Sequence, residues 1–260
     1  MLINGVAGQP PIDSEGHVMY YAGYFVDGAV KSLEDRRLQP NGANFEWQCC
    51  TGTFPQDVAE YANMIYYTDE EGIYVSQYLP SKASFSIRGS RFALENCSVG
   101  DISPIRKFRG QAEGGTSCRI SFRIPRWAKG VNRILVNGED MGLSAQPDTW
   151  AVLEREWQAD DVIEISLPFS LGSRPVDEEN PDIAALCFGP VVLAADKMSL
   201  LDGDMEHPEE WITCIDEKQM LFRTAPGHVC PYPQAVRTFR PYYKIPVMEW
   251  YFMYVRFQQR

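Results

Sequence analysis

Two adjacent cysteines, Cys49 and Cys50, are the residues of this 260-residue chain whose chemistry and placement are most unusual. They lie in the stretch FEWQCCTGTFPQ, immediately before a predicted helix, and a disulfide between neighbouring cysteines would be strained. The pair is therefore inert packing, part of a metal site or a nucleophile. The amino terminus of a helix carries partial positive charge, which favours the thiolate, the form of cysteine that attacks carbon and binds metals. We favour a functional role over burial, because adjacency and a helix start coincide.

A capping box predicts where that helix begins. Thr53 and Gln56 have the spacing in which two side chains cap a first turn, and Pro55 stands where its missing N–H costs nothing. The apolar residues that follow at helical spacing predict one buried face: Val58, Tyr61, Ala62 and Ile65. The sequence DEEG at 69–72 predicts the turn that ends this element.

Beyond Gly72 the apolar residues recur every second position, which predicts half-buried strands. Asn137-Gly138 predicts a hairpin, and the doubly apolar run 183–195 predicts a central strand pair bent at Gly189-Pro190. Residues 202–233 have the composition of a loop, and 249–257 that of a final strand. Further strands are predicted at 73–78, 118–124, 149–156 and 161–167. The predicted fold class is mainly β, an antiparallel β-sandwich.

Charge and composition exclude several classes of function. The chain has 35 acidic and 24 basic side chains, a net charge of -11 that repels nucleic acid and anionic membranes, so a neutral ligand such as a sugar fits better. The seven cysteines include no CxxC pair, which disfavours a redox protein and favours a reducing, cytoplasmic location. No stretch predicts a membrane span or a targeting signal. Five of the cysteines are expected to be small buried side chains: Cys97, Cys118, Cys187, Cys214 and Cys230.

Several motifs together resemble a known enzyme family. WQCCTGTFPQDVAEYANMIYY, FRIPRWAKG, ILVNGE, LEREWQADDVIEISLP and ALCFGPVVLAA are similar to the C-terminal half of the glycoside hydrolase family 127 and 146 group, the β-L-arabinofuranosidases. The resemblance implies an (α/α)6 barrel followed by β-sandwich domains. We therefore expect residues 1–70 to be the remnant of that barrel, its last helix and loops, and 71–200 to be the sandwich. Residues 201–260 are expected to be a loop-rich segment whose last strand rejoins the β region.

The resemblance also implies a mechanism. Cys49 would be the nucleophile of a retaining hydrolase and would form a glycosyl-thioether with the substrate. Cys49 and Cys50 would share a zinc ion with an upstream Glu-x-Cys motif. No Glu-x-Cys occurs in residues 1–48, so the chain looks like a C-terminal fragment with half a zinc site. We expect it to be weakly active or inactive by itself.

Other residues near the pair are weaker candidates. Trp47, Tyr20 and Tyr21 could stack on a sugar ring, although buried packing is the commoner use of such aromatic residues. Glu46 and Glu60 are close enough in sequence to be considered as the general acid, but solvated charge is the commoner role.

The expected partners are a carbohydrate substrate and the N-terminal barrel of the same protein. Open sheet edges would also allow two copies of the chain to associate as a homodimer. The competing hypothesis is a non-catalytic β-sandwich that binds carbohydrate or packs against another domain, with Cys49 and Cys50 merely buried.

Overall fold

The chain is built mainly from short β-strands, as predicted. The computed structural model describes residues 4–5, 25–31, 56, 58–98, 102–112, 115–143 and 145–258, and the statements below concern these residues. They form two compact units, one within Pro55–Ser170 and one that combines residues up to Phe54 with Leu171–Arg260. No helix in the described ranges is long and apolar enough to cross a membrane.

The strands are numbered in chain order. They are β1 (Ala29–Val30), β2 (Tyr66–Thr68), β3 (Gly72–Val75), β4 (Ser81–Ile87), β5 (Ser90–Asn96), β6 (Ile105–Ala112), β7 (Thr116–Ile124), β8 (Arg133–Val136), β9 (Glu139–Asp140), β10 (Thr149–Trp157), β11 (Val162–Ser166), β12 (Leu171–Pro175), β13 (Ile183–Phe188), β14 (Val191–Ala195), β15 (Leu200–Leu201), β16 (Ile212–Asp216), β17 (Leu221–Thr224), β18 (Val229–Cys230), β19 (Thr238–Pro241), β20 (Trp250–Tyr251) and β21 (Tyr254–Phe257). The described ranges also contain 3-10 helices at Tyr61–Met64, Pro208–Glu210 and Tyr242–Lys244.

The unit within Pro55–Ser170 is a β-sandwich. Its four-stranded sheet has the order β10-β7-β3-β2, and its six-stranded sheet has the order β4-β5-β6-β11-β8-β9. The two sheets share one core, in which Phe108 of β6 meets Phe122 of β7 with ring centres 5.3 Å apart. Trp157 is fully buried there and donates its Nε1 hydrogen to the carbonyl oxygen of Cys118 at 3.0 Å. The predicted antiparallel β-sandwich is thus confirmed, although β3 pairs with β7 in parallel.

Alternation along β7 decides which side chains reach the core. Ile120 and Phe122 are fully buried, whereas Arg119 and Arg123, which flank this pair, point to the other face of the sheet. β10 pairs with β7 along its whole length, from Thr149 opposite Ile124 to Trp157 opposite Thr116, and shows the same alternation. The period of two in the sequence therefore predicted both strands correctly.

The Asn137-Gly138 hairpin is also confirmed. Both residues have positive φ angles, 52° and 86°, as the tight turn between β8 and β9 requires. The Asn137 side chain also makes two hydrogen bonds: its Oδ1 accepts the backbone N–H of Val162, and its Nδ2 donates to buried Asp161. The turn is in this way tied to β11.

The second unit contains a nine-stranded sheet around β13. One side of β13 pairs with β12 and the other with β14 and β21. β13 and β14 form a hairpin that turns at Gly189-Pro190, which confirms the strand pair predicted in 183–195. β1 pairs with β20 in a separate two-stranded sheet of the same unit.

Two predictions for the C-terminal region were wrong. Residues 202–233 are not a loop, since they contain the β16–β17 hairpin, a 3-10 helix and β18. In these short strands only a few side chains, such as Ile212 and Phe222, are buried, so the apolar period is weak in the sequence. The predicted last strand at 249–257 is divided, because β20 and β21 are separated by Phe252, which forms an isolated bridge with Ala195.

The predicted helix ends earlier than expected. Gln56 and residues 58–60 are helical, and the 3-10 helix Tyr61–Met64 follows. Tyr66–Thr68 then forms strand β2, because it pairs with β3 across the Asp69 turn. Ile65 is buried, but Val58 is exposed, so the predicted apolar face is not covered by the described residues. The predicted start at Thr53 lies outside the described residues, and the barrel remnant stays a prediction.

Gly72 is the point at which β3 approaches β7 most closely. A Cβ atom built on Gly72 would overlap the carbonyl oxygen of Arg119. Because backbone atoms cannot move aside as a flexible side chain can, we expect Gly72→Ala to lower the free energy of unfolding by about 2–4 kcal/mol. Urea unfolding followed by tryptophan fluorescence measures this loss.

Gly172→Ala is the matched control, since a Cβ there would meet no atom within 4 Å. This change should leave stability unaltered or raise it by less than about 1 kcal/mol. Equal stability of the two variants would contradict the close approach at Gly72.

Candidate functional site

The residues predicted to carry the chemistry lie outside the described residues. They are Cys49, Cys50, Trp47, Tyr20, Tyr21 and Glu46. Glu60 is described, and it is exposed and accepts a hydrogen bond from Asn63 Nδ2 at 2.9 Å. In the described ranges no group of three or more His, Cys, Asp or Glu side chains is arranged to hold a metal ion.

The other five cysteines have different surroundings. All are free thiols. Burial raises the pKa of Cys118 and of Cys187 to about 11, so both are protonated at neutral pH and unsuited to act as nucleophiles. The prediction of buried side chains was right for Cys118 but wrong for Cys97 and Cys214, which are exposed. Cys214 lies on β16, where every residue after Ile212 is exposed.

Aromatic side chains cross the outer face of the four-stranded sheet. We call Tyr67, Tyr74, Trp150 and Val152 the aromatic strip. Tyr67 of β2 lies opposite Tyr74 of β3, and Val152 of β10 lies opposite Ser121 of the intervening strand β7. The Tyr74 and Trp150 rings meet edge to face with centres 5.3 Å apart. Ser121 is only 1% exposed although it points to this face, so the neighbouring side chains cover it.

A charged network beside the strip holds Tyr74. Arg119 donates through Nη2 to Asp69 at 2.8 Å and to the Tyr74 hydroxyl at 2.7 Å, and through Nη1 to Glu71 at 2.8 Å. The Tyr74 hydroxyl donates in turn to Asp69 Oδ2 at 2.7 Å. This hydrogen bond lowers the pKa of Asp69 and raises the pKa of Tyr74 from their ordinary values, so the bonded form persists across the neutral range.

Asp69 is itself held by the turn that it begins. Its Oδ1 accepts the backbone N–H groups of Glu71 and Gly72, each at 2.9 Å. An aspartate that caps its own turn in this way has little freedom to rotate. The network therefore gives Tyr74 one fixed orientation on the outer face of the sheet.

Lys31 forms an unusual buried site in the other unit. It is 1% exposed, and its Nζ donates to the carbonyl oxygens of Tyr242 at 2.9 Å and Ile245 at 3.0 Å. The same Nζ lies 4.2 Å from the centre of the Tyr242 ring, within the range of a cation–π contact. Burial, with a smaller contribution from Arg240, lowers the pKa of Lys31 from 10.5 to about 8. A neutral amine keeps two N–H groups, so both hydrogen bonds are available in either protonation state.

One family model matches the sandwich. The model described as "Beta-L-arabinofuranosidase, GH127 middle domain" matches residues 72–169. Residues 72–169, which include β3–β11, are thus similar to the GH127 middle domain. The resemblance to glycoside hydrolase family 127 is confirmed at the family level.

Solved structures extend the likeness in fold beyond the middle domain. A GH127 beta-L-arabinofuranosidase from Geobacillus stearothermophilus T6 matches 99% of the chain, with a TM-score of 0.71 and 17% identity, over 45% of its own length. A glycoside hydrolase matches 99% of the chain at 16% identity over 47% of its length, with a TM-score of 0.65. A GH127 beta-arabinofuranosidase matches 81% of the chain at 16% identity over 38% of its length, with a TM-score of 0.62.

The chain therefore spans less than half the length of these structures. At such identities the likeness shows the fold alone. No curated protein matches the chain.

Sequence reasoning missed both described sites. Lys31 directly follows the apolar pair Ala29-Val30 in the run FVDGAVKSL, and a lysine in that place was the available signal. The aromatic strip had only a partial signal, since Trp150 and Val152 alternate with the core residues of β10. Their contact with Tyr74 depends on strand pairing between residues far apart in sequence.

The lowered pKa of Lys31 predicts a pH dependence of stability. Between about pH 8 and 10.5 the unfolded chain binds the Lys31 proton and the folded chain does not. Raising the pH in this interval therefore destabilises the unfolded chain relative to the folded one. The free energy of unfolding of the wild type should therefore rise relative to that of Lys31→Met over this interval, and stay parallel to it below about pH 8.

Urea unfolding of both chains at several pH values from 6 to about 10.5 tests this dependence. Lys82→Met, which removes an exposed lysine on β4, controls for the loss of one positive charge. If the free energies of unfolding of the wild type and Lys31→Met differed by a constant amount across the whole pH range, burial would not lower the pKa of Lys31.

Proposed function

We propose that the chain is the C-terminal part of a retaining glycoside hydrolase that releases terminal β-L-arabinofuranosyl units. The observation that carries the proposal is the match of residues 72–169 to the GH127 middle domain. The likeness in fold to GH127 enzymes over 99% of the chain supports it. A middle domain also implies further domains of the same protein, and we propose the (α/α)6 barrel as the one that completes the enzyme.

Cys49 is proposed as the nucleophile. Its sulfur would form a bond to the anomeric carbon while the glycosidic C–O bond breaks, and the leaving oxygen would take a proton from a general acid. Water would then displace the sulfur from the same carbon, so that two inversions give net retention. The surroundings of Cys118 and Cys187 support this choice indirectly, because their raised pKa values leave them protonated at neutral pH.

Zinc is proposed as the metal that Cys49 and Cys50 would bind. Two thiolates are ligands that zinc favours, but a closed site needs four ligands. A Glu-x-Cys pair from the barrel is the proposed source of the other two, as the resemblance implies. Bound zinc would hold thiols deprotonated at neutral pH.

Aromatic and acidic residues near the pair complete the proposal. Trp47, Tyr20 and Tyr21 are proposed to stack on the furanose ring, as aromatic faces commonly do with apolar sugar faces. Glu46 and Glu60 remain candidates for the general acid, but Glu60 is exposed and accepts a hydrogen bond from Asn63, as a solvated surface charge does.

Replacing the proposed nucleophile tests the hydrolase assignment. In the natural full-length protein, Cys49→Ser should lower kcat for 4-nitrophenyl β-L-arabinofuranoside by more than about 1,000-fold, because a serine hydroxyl is protonated at neutral pH. Cys97→Ser, which changes an exposed cysteine of the sandwich, is the matched control and should keep wild-type activity.

The zinc content of the same proteins is a second measurement. Cys50→Ser should lower the zinc bound per chain, measured by atomic emission, whereas Cys97→Ser should not. Full activity of Cys49→Ser would exclude the cysteine mechanism. No hydrolysis by the wild type, with carbohydrate binding that Cys49→Ser leaves intact, would favour the competing hypothesis of a non-catalytic module with buried cysteines.

A further inference from the structure

The outer face of the four-stranded sheet has the composition of a ligand site. We infer that the aromatic strip binds a neutral oligosaccharide, at a site separate from the Cys49–Cys50 pair. The inference takes its ligand class in part from the proposed function, since a carbohydrate-processing protein meets glycans. The geometry of the strip is an independent observation.

The strip is unusual because it is apolar and open to solvent. The outer face of a sandwich sheet is normally polar, with apolar residues directed to the core. Here Tyr67 is 52% exposed, Val152 43% and Trp150 39%. Scattered single apolar residues need no explanation, but neighbouring ones on three of the four strands of a sheet, here β2, β3 and β10, indicate a binding surface.

The rings are held before any ligand arrives. Tyr74 is fixed by the hydrogen bonds of Asp69 and Arg119, and Trp150 packs edge to face against Tyr74. A rigid aromatic side chain loses little conformational entropy on binding, so more of the contact energy appears as affinity. Ser121 lies on β7, between β3 and β10, and its small side chain leaves room for the contact between Tyr74 and Trp150.

The size of the strip favours a small ligand over a protein. Its exposed side chains present roughly 300 Å² of surface, whereas a stable protein interface takes about 800 Å² from each partner. A few sugar rings cover an area of that order. The strip is thus too small for a stable protein interface.

The charges beside the strip favour a neutral ligand. Arg119 is paired with Asp69 and Glu71, and it also lies opposite Glu154 of β10. Its positive charge is therefore already balanced by carboxylates, and the net charge of -11 repels anions further. Sugar hydroxyls both donate and accept hydrogen bonds, so they can use the carboxylate oxygens and the guanidinium edge without bringing net charge.

Binding to purified oligosaccharides tests the inference. The chain is titrated by calorimetry with α-1,5-linked arabinopentaose, with cellopentaose and with the acidic trigalacturonate. At least one neutral pentamer should bind, and trigalacturonate should bind at least tenfold more weakly.

Variants then locate the site. Tyr67→Ala and Trp150→Ala should each weaken binding of the neutral pentamer at least tenfold, while their circular dichroism and unfolding midpoints stay close to those of the wild type. Tyr67 lies on the edge strand β2 and is half exposed, so its truncation leaves the core unchanged. Trp250→Ala, which removes an exposed tryptophan of the other unit, is the matched control and should bind as the wild type does.

Each other outcome overturns the inference. These outcomes are no binding of either neutral pentamer at millimolar concentration, tighter binding of trigalacturonate, or equal binding by the wild type and both strip variants. Self-association that Trp150→Ala abolishes, without glycan binding, would instead make the strip a protein interface.

Cys49→Ser separates this test from that of the proposed function. The variant should bind the pentamer as the wild type does, because the strip contains no part of the cysteine pair. Loss of hydrolysis with retained binding would therefore support the catalytic proposal and leave the binding inference intact. Hydrolysis by the wild type without binding to the strip would contradict the binding inference alone.

Discussion

The pairing of β7 with β10 on one side and β3 on the other is the interaction on which the β-sandwich depends. β7 contacts β10 along nine residue pairs, and its inward side chains, such as Ile120 and Phe122, fill the centre of the core. A shift of one residue would turn these side chains to solvent and bury Arg119. The cost of burying an unpaired charge disfavours that shifted register.

The same register determines what the outer face can do. Since side chains alternate, fixing the core positions of β7 also fixes Arg119 and Ser121 on the opposite face. Gly72 allows β3 to approach β7 closely, which brings Asp69 and Tyr74 within hydrogen-bonding distance of Arg119. The arrangement of the surface is in this way a consequence of the packing of the interior.

Sequence patterns predicted the parts of the fold that have strong local signals. β7 and β10 alternate clearly, and Asn137-Gly138 has the residue types that its positive φ angles require. The β4–β5 hairpin was not predicted, because Ser81–Ile87 alternates serines with small or partly buried residues and its turn uses Arg88 at a φ of 50°. The aromatic strip and Lys31 could not be predicted, because each is assembled from segments far apart in the chain. The cysteine pair, the strongest chemical signal in the sequence, lies outside the described residues and stays a prediction.

The energetics of the charged network indicate why it is present. Ion pairs between partly exposed side chains contribute little to stability, about 0–1 kcal/mol, because water screens them and ordering the side chains costs entropy. Arg119, Asp69 and Glu71 all reach solvent, so their pairing is a weak source of folding energy. Its clearer effect is geometric, because Asp69 is fixed by its own turn and Arg119 by the register of β7, and both contact the Tyr74 hydroxyl. A network that adds little stability but holds one half-buried aromatic ring in a single orientation supports the proposed role of the strip as a binding surface.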